Sequence, residues 1–230
     1  MPPTTPFPTG WMSFDLGPYR PCDGTYCFYE YETLPPLEET FRGEFQWLLN
    51  PQTGPDDRLR AIMDIHKQVP SGKIEEKLHR LLAEAPTLGL TLPDSFVRFM
   101  GSPALHDEIP SCTACYFDLP EKIVKSPVGD GYIIRFLNDQ QDVLLWYLYL
   151  TPDGDHFVFV SNIFFDDADL SEVPEERILG ALAYCAPDFE TFLYRYWLEN
   201  TIWFSVNEQS GKLTDTQKKY LSHYGDITNT

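Results

Sequence analysis

The sequence is poor in basic residues and has no long hydrophobic run. Lys and Arg total 17 against 35 Asp and Glu in 230 residues, which gives a formal net charge of -18 at pH 7. Such a charge repels phosphate backbones and anionic lipid, so nucleic acid and membrane surfaces are not expected partners. The longest apolar run, Val143 to Leu150, is far shorter than the roughly 20 residues that a membrane helix needs. Any charged protein partner is expected to be basic.

The chain also lacks the features of a secretory signal. No basic residue precedes Arg20, and no apolar stretch follows the first residues, so we expect a cytoplasmic protein. The cysteines number five, an odd count that favours reduced thiols over a disulfide framework when no export signal is present. Hydrophobic residues make up 43% of the chain, which is enough to bury a substantial core.

Recognisable catalytic motifs are absent as well. The chain has no G-x-S-x-G, no H-E-x-x-H, no glycine-rich phosphate loop and no dinucleotide fingerprint. Its histidines are isolated from one another, which is more typical of surface residues than of a general base. We therefore predict a protein without catalytic residues, cofactor or metal. One alternative stays open, because the four thiolates of a tetrahedral zinc site could come from Cys22, Cys27, Cys112 and Cys115.

Three segments are expected along the chain. Residues 1–71 are rich in proline, glycine and aromatics, and are predicted to lie against the main body as an irregular extension with short helices. Residues 72–206 form the main domain, and residues 207–230 form a C-terminal helix and tail.

Hydrophobic spacing predicts both helices and strands. Helices are expected at about 37–49, 56–68, 74–85, 93–100, 174–184 and 187–203, and after a capping box at Thr214-Asp-Thr-Gln217. Strands, of which at least three pair antiparallel, are expected at 116–119, 132–137, 143–150 and 157–161. The prediction is an α+β fold, a twisted antiparallel sheet with helices packed mainly on one side. Because 143–150 is apolar on both faces, both sides of the sheet must be covered.

The stretch RFLNDQQDVLLWYLYLTPDGDHFVFVSN, residues 135–162, places two acidic clusters between apolar runs. Thr151-Pro-Asp-Gly154 has the composition of a tight turn, and Asn138 to Asp142 is a longer connection of the same kind. The favoured interpretation is therefore two loops of a β-meander. In the alternative, the side chains of Asp139, Asp142, Asp153 and Asp155 gather at one end of the sheet and share protons or hold a hard cation.

Three stretches together resemble the SUKH superfamily, which includes a fungal cell-wall-synthesis regulator and many bacterial immunity proteins. LGLTLPDSFVRFM (88–100) is similar to its early helix, residues 132–161 to its central meander, and PDFETFLYRYWLEN (187–200) to its closing helix. The resemblance covers about residues 72–204. It implies an α+β domain that binds protein instead of catalysing a reaction, and in bacterial members the inferred role is to neutralise a toxin inside the producing cell.

The leading hypothesis is a non-enzymatic, cytoplasmic binding protein, an immunity protein that neutralises a basic toxin domain such as a nuclease. The partner-binding residues are predicted to be acidic: Asp139, Asp142, Asp153, Asp155, Asp166 and Asp167. One alternative is a regulatory scaffold in metabolism or cell-envelope synthesis, and another is a metal-dependent hydrolase. A homodimer is a further alternative, because exposed sheet edges can pair with a second copy of the chain.

Overall fold

The computed structural model describes residues 7–37, 41–49, 60–61, 73–166, 169–170, 173–207 and 213–225. A six-stranded antiparallel sheet forms its centre, and a separate two-stranded ribbon lies beside it. The strands are β1 (Trp11–Ser13), β2 (Cys27–Tyr29), β3 (Tyr116–Phe117), β4 (Val124–Lys125), β5 (Tyr132–Asn138), β6 (Leu145–Leu150), β7 (His156–Ser161) and β8 (Leu182–Ala186). The helices are α1 (Ile74–Glu84), α2 (Asp94–Met100), α3 (Pro103–His106), α4 (Glu175–Leu179), α5 (Phe189–Asn207) and α6 (Asp215–Leu221).

Strands β5, β6 and β7 form the predicted meander. Tyr132 pairs with Leu150 across β5 and β6, and Leu145 pairs with Ser161 across β6 and β7. The sheet continues outward through β8 on one side and through β3 and β4 on the other. Both acidic stretches are therefore hairpin connections, which confirms the favoured interpretation.

The two faces of the sheet are covered by different parts of the chain. On one face Trp146 and Leu148 join the large core formed with α1, α2, α5 and α6. On the other face Tyr147 and Tyr149 lie in a smaller core, which is covered by Phe7, by α4 and by the connection after β7. This arrangement confirms an α+β fold whose helices pack mainly on one side of an antiparallel sheet.

Helix α5 is the central helix of the larger core. It begins after Asp188, whose carboxylate accepts hydrogen bonds from the backbone N–H and the hydroxyl of Thr191. Most of its residues are buried, because it lies between the sheet on one side and the N-terminal segment and α6 on the other. A helix that is apolar on most sides is expected in such a position. No helix among the residues described here combines the length and the apolar character needed to cross a membrane.

The N-terminal segment is more regular than predicted, since β1 and β2 form an antiparallel ribbon. The backbone N–H of Gly10 donates to the carbonyl of Tyr184, and the N–H of Tyr184 donates to the carbonyl of Pro8. These bonds extend the sheet beyond β8. A side chain at Gly10 would clash with the Phe28 ring, because a Cβ there would lie 2.1 Å from a ring carbon.

Several predicted helices are wrong or fall outside the described residues. Residues 174–184 form only the short α4, and the chain then enters β8, where pairing with β7 overrides the helical pattern. Over residues 41–49 the chain has turns and no helix. Most of the 56–68 prediction lies outside the described residues. The predicted capping box is confirmed: the Thr214 hydroxyl accepts from the Gln217 backbone, and the Gln217 side chain accepts from the Thr214 backbone.

Candidate functional site

The predicted partner-binding aspartates lie at two opposite ends of the sheet. Asp139 and Asp142 are in the connection from β5 to β6, whereas Asp153 and Asp155 are in the connection from β6 to β7. Successive connections of an antiparallel meander alternate between ends, and a strand of this length separates them by roughly 20 Å. The alternative, in which all four aspartates gather at one end, is therefore wrong.

Asp139 is buried and organises its own loop. The carboxylate accepts hydrogen bonds from the Tyr26 hydroxyl at 2.6 Å and from the Gln141 backbone N–H at 2.8 Å. Only 3% of the residue is exposed. Because both carboxylate oxygens bond within the protein, Asp139 holds the β5–β6 loop against the N-terminal segment. It is not a surface charge that a partner could contact.

Asp166 is also held within the structure. Its Oδ2 lies 2.8 Å from Nη2 of Arg135, and both side chains are nearly buried, with exposed fractions of 9% and 10%. The Arg135 guanidinium also lies over the Phe164 ring. The charge of Asp166 is thus largely neutralised, and Asp167 lies outside the described residues. Among the predicted partner-binding residues that the structure describes at this end of the sheet, Asp142 is the one that is exposed.

The other end displays its carboxylates on a fixed turn. Thr151 and Asp155 exchange backbone and side-chain hydrogen bonds of 2.9 to 3.1 Å. Gly154 adopts φ +89°, a conformation that favours glycine. Asp153 and Asp155 are both exposed on this closed loop. Their positions are therefore set by the turn.

Asp130 is a third exposed carboxylate at the same end, and sequence analysis did not select it. It precedes β5, whose first residue, Tyr132, pairs with Leu150 at the end of β6. The connection before β5 and the connection after β6 must therefore lie side by side. Its position just before a strand of the meander was the signal that could have identified it. We call the set Asp130, Asp153 and Asp155 the acidic edge.

The acidic edge also has an aromatic and a basic neighbour. The half-buried ring of Tyr132 lies beneath the Lys125 ammonium group, with 4.6 Å between the nitrogen and the ring centroid. The same ammonium donates to the backbone carbonyl of Asp130. One lysine therefore offsets part of the negative charge and sits on the aromatic surface that a partner could use.

The cysteines contradict the prediction of reduced thiols. Cys22 and Cys27 form a disulfide within the N-terminal segment, whereas Cys112 and Cys115 are free. The four-thiolate zinc site is therefore not assembled, because two of its proposed ligands are bonded to each other. Burial raises the pKa of the Cys112 and Cys115 thiols and that of the third free cysteine, Cys185. A disulfide is more typical of oxidising compartments, so the cytoplasmic location stays a prediction.

The buried charges of Arg20 and Glu199 stabilise the fold. The Glu199 carboxylate accepts hydrogen bonds from Arg20, Trp11, Ser13 and Tyr220 at 2.5 to 2.8 Å. Burial alone would raise its pKa, but the Arg20 charge and these hydrogen bonds lower the pKa of Glu199 to about 2. This network joins the N-terminal segment to α5 and α6.

Within the described residues no three His, Cys, Asp or Glu side chains are grouped so that they could hold a metal ion. Comparison of the chain with protein-family models, curated proteins and solved structures gave no match. The resemblance to the SUKH superfamily therefore stays a prediction.

Proposed function

We propose that this chain is a non-enzymatic protein-binding domain that captures a basic protein at the acidic edge. The observation that carries the proposal is the exposure of Asp153 and Asp155 on a fixed turn. Carboxylates that are already in position need little further ordering on binding, so more of their interaction energy contributes to affinity.

The distribution of charge supports the same proposal. At least six of the 17 Lys and Arg residues are in ion pairs with Asp or Glu, namely Arg20, Arg60, Lys77, Arg80, Arg135 and Lys218. Each pair neutralises at least one acid, so the net charge of -18 comes from the excess of the remaining carboxylates over the remaining basic residues. A field of this sign raises the rate of encounter with a positive partner by roughly ten- to a thousand-fold at low salt.

The partner class that fits best is a basic toxin domain such as a nuclease, with this chain as its immunity protein. A nuclease active site attracts phosphates, and carboxylates spaced along a sheet end offer it a similar pattern of negative charge. Tyr132 supplies the aromatic surface next to these charges, and aromatic residues are frequent anchors in protein interfaces.

The test is capture from the native host at increasing salt, with one double variant and one control variant. Asp153→Asn together with Asp155→Asn removes two charges from the acidic edge, and Asp142→Asn removes one from the opposite end. We expect wild type and Asp142→Asn to retain a basic protein that salt releases, and the double variant to lose it. Recovery of no protein, or of one that is indifferent to salt and to the double substitution, would refute the proposal.

A further inference from the structure

The Cys22–Cys27 disulfide closes a short loop at the surface. The bond joins two half-buried cysteines that lie five positions apart, and residues 23–25 between them are exposed. Exposed disulfides are the ones that a thiol in solution attacks most easily. The bond is therefore within reach of a small reductant while the rest of the protein stays folded.

Few other contacts fix this loop. Its flanks are held, since Arg20 pairs with Glu199 and Cys27 pairs with Ser13 across β1 and β2. Residues 22–26, by contrast, make no backbone–backbone hydrogen bond within the part of the chain that the structure describes. The disulfide and the side chain of Tyr26 are therefore the main attachments of the loop.

Tyr26 reaches from this loop into the core. Its hydroxyl donates to the Asp139 carboxylate at 2.6 Å, and it lies 2.9 Å from the Thr113 hydroxyl and 3.4 Å from the Cys115 sulfur. Its ring packs edge-on against Trp146 of β6. Asp139 and Cys115 are both buried. One side chain of the loop thus covers a buried carboxylate and a buried thiol.

The same carboxylate fixes the connection between β5 and β6. It accepts a hydrogen bond from the backbone N–H of Gln141 at 2.8 Å, and the backbone N–H of Asp139 donates to the Leu144 carbonyl at 2.9 Å. A change in the disulfide loop is therefore passed through Tyr26 and Asp139 to this end of the sheet. The acidic edge lies at the opposite end, so this route does not depend on the proposed partner site.

We propose that the Cys22–Cys27 disulfide is a redox-controlled latch on Tyr26. A dithiol reductant breaks the S–S bond through a mixed disulfide, leaves two cysteine thiols and is itself oxidised to a disulfide. The opened loop then gains conformations that the bond excluded, so the position of Tyr26 over the core becomes less populated. Release of Tyr26 uncovers Cys115 and Asp139. Oxidised glutathione reverses the step by taking up the two electrons and two protons.

The first test is alkylation of the native protein by iodoacetamide, measured at each cysteine by mass spectrometry. Cys185 is the internal control, because it is a buried free thiol of β8 whose sulfur contacts the Val158 carbonyl. We expect Cys115 to be labelled about tenfold faster in the double variant Cys22→Ser, Cys27→Ser than in oxidised wild type. Labelling of Cys185 should not change.

Two tyrosines beside the disulfide provide a matched pair of variants for a second test, which follows amide exchange by NMR. In wild type, dithiothreitol should accelerate exchange at Asp139 and Gln141. Tyr26→Phe removes the hydroxyl that joins the loop to Asp139, so exchange at Gln141 should be fast with and without dithiothreitol. Tyr29→Phe removes a hydroxyl that donates to the Pro21 carbonyl, and it should keep the redox dependence of wild type.

Four results would overturn the latch. Equal acceleration of labelling at Cys115 and Cys185 would indicate general unfolding. Labelling of Cys22 and Cys27 in unreduced wild type would mean that the bond does not form. A wild type whose amide exchange ignores dithiothreitol, or a Tyr26→Phe variant that responds as wild type does, would show that Tyr26 does not link the disulfide to the core.

Discussion

Arg20 and Glu199 form an ion pair that is closed to solvent. Nη1 of Arg20 lies 2.6 Å from Oε1 of Glu199, and the exposed fractions of the two side chains are 4% and 0%. Arg20 comes from the irregular part of the N-terminal segment, and Glu199 comes from the middle of α5. This ion pair is thus one of the interactions that hold the N-terminal segment on the main helical core.

Replacing Glu199 by Gln is expected to lower the free energy of unfolding by about 3–5 kcal/mol. The substitution leaves the guanidinium of Arg20 buried and charged without its partner. Urea denaturation followed by circular dichroism measures the loss. Arg80→Gln is the control, because Arg80 pairs with Glu76 and Glu121 at an exposed surface. Its transition midpoint should match wild type, and equal losses in the two variants would contradict a special role for the buried pair.

The contribution of Glu199 should also depend on pH. Its pKa is lowered in the folded protein from an ordinary 4.5 to about 2, so folding favours the ionised form. The stabilisation is therefore complete above pH 4.5 and is lost as the pH falls toward 2. We expect the stability difference between wild type and Glu199→Gln to be constant at neutral pH and to narrow within this window. A difference that stays constant down to pH 2 would be incompatible with the ion pair.

Glu190 should act as the anchor of residues 41–49. Its carboxylate accepts hydrogen bonds from the Gly43 backbone N–H, from the Phe45 backbone N–H at 3.1 Å and from the Trp47 indole N–H at 3.0 Å. Glu190→Gln replaces one acceptor with a donor that faces other donors, and is expected to cost about 2–3 kcal/mol. Hydrogen exchange should accelerate at Gly43 and Phe45.

The matched control is the neighbouring Glu44→Gln. The exposed Glu44 carboxylate accepts a hydrogen bond from the side chain of Gln46. We expect unchanged exchange rates and unchanged stability in this variant. Faster exchange throughout the protein, instead of at this loop, would indicate general destabilisation and would argue against a local anchor.

Loss of the Cys22–Cys27 disulfide is expected to cost about 2 kcal/mol, as chain entropy predicts for a loop this short. The double variant Cys22→Ser, Cys27→Ser should unfold at lower urea than oxidised wild type. A reductant should shift the wild-type transition by the same amount and leave the variant unaffected. Alkylation of unfolded, unreduced protein should label Cys112, Cys115 and Cys185 only. Labelling of all cysteines would mean that the bond does not form.

Local patterns predicted much of the fold. The β5, β6 and β7 strands follow from short apolar runs rich in aromatic and β-branched residues, and α1, α2 and α5 follow from helical spacing. The helix prediction for residues 174–184 was wrong because the short apolar run after Gly180 fits a strand as well as a helix. Only pairing with β7, a contact across the sheet, decides between them.

The candidate site was harder to predict, because burial depends on distant residues. The Asp139 carboxylate is buried against the Tyr26 hydroxyl, which donates a hydrogen bond to it from 113 positions earlier in the chain. Nothing near Asp139 in the sequence distinguishes it from Asp142, which is exposed. The separation of Asp142 from Asp153, by contrast, follows from the predicted meander itself, since successive loops of antiparallel strands occupy opposite ends.

The pairing of Tyr184 with Pro8 and Gly10 has a consequence for biosynthesis. Pro8 and Gly10 pair with the outer strand β8. Arg20 pairs with Glu199, which lies 179 positions later in the chain. Contacts between such distant residues are slow to form. The N-terminal segment is therefore synthesised well before β8 and α5, and its own apolar side chains have no native surface to pack against until α5 has been synthesised.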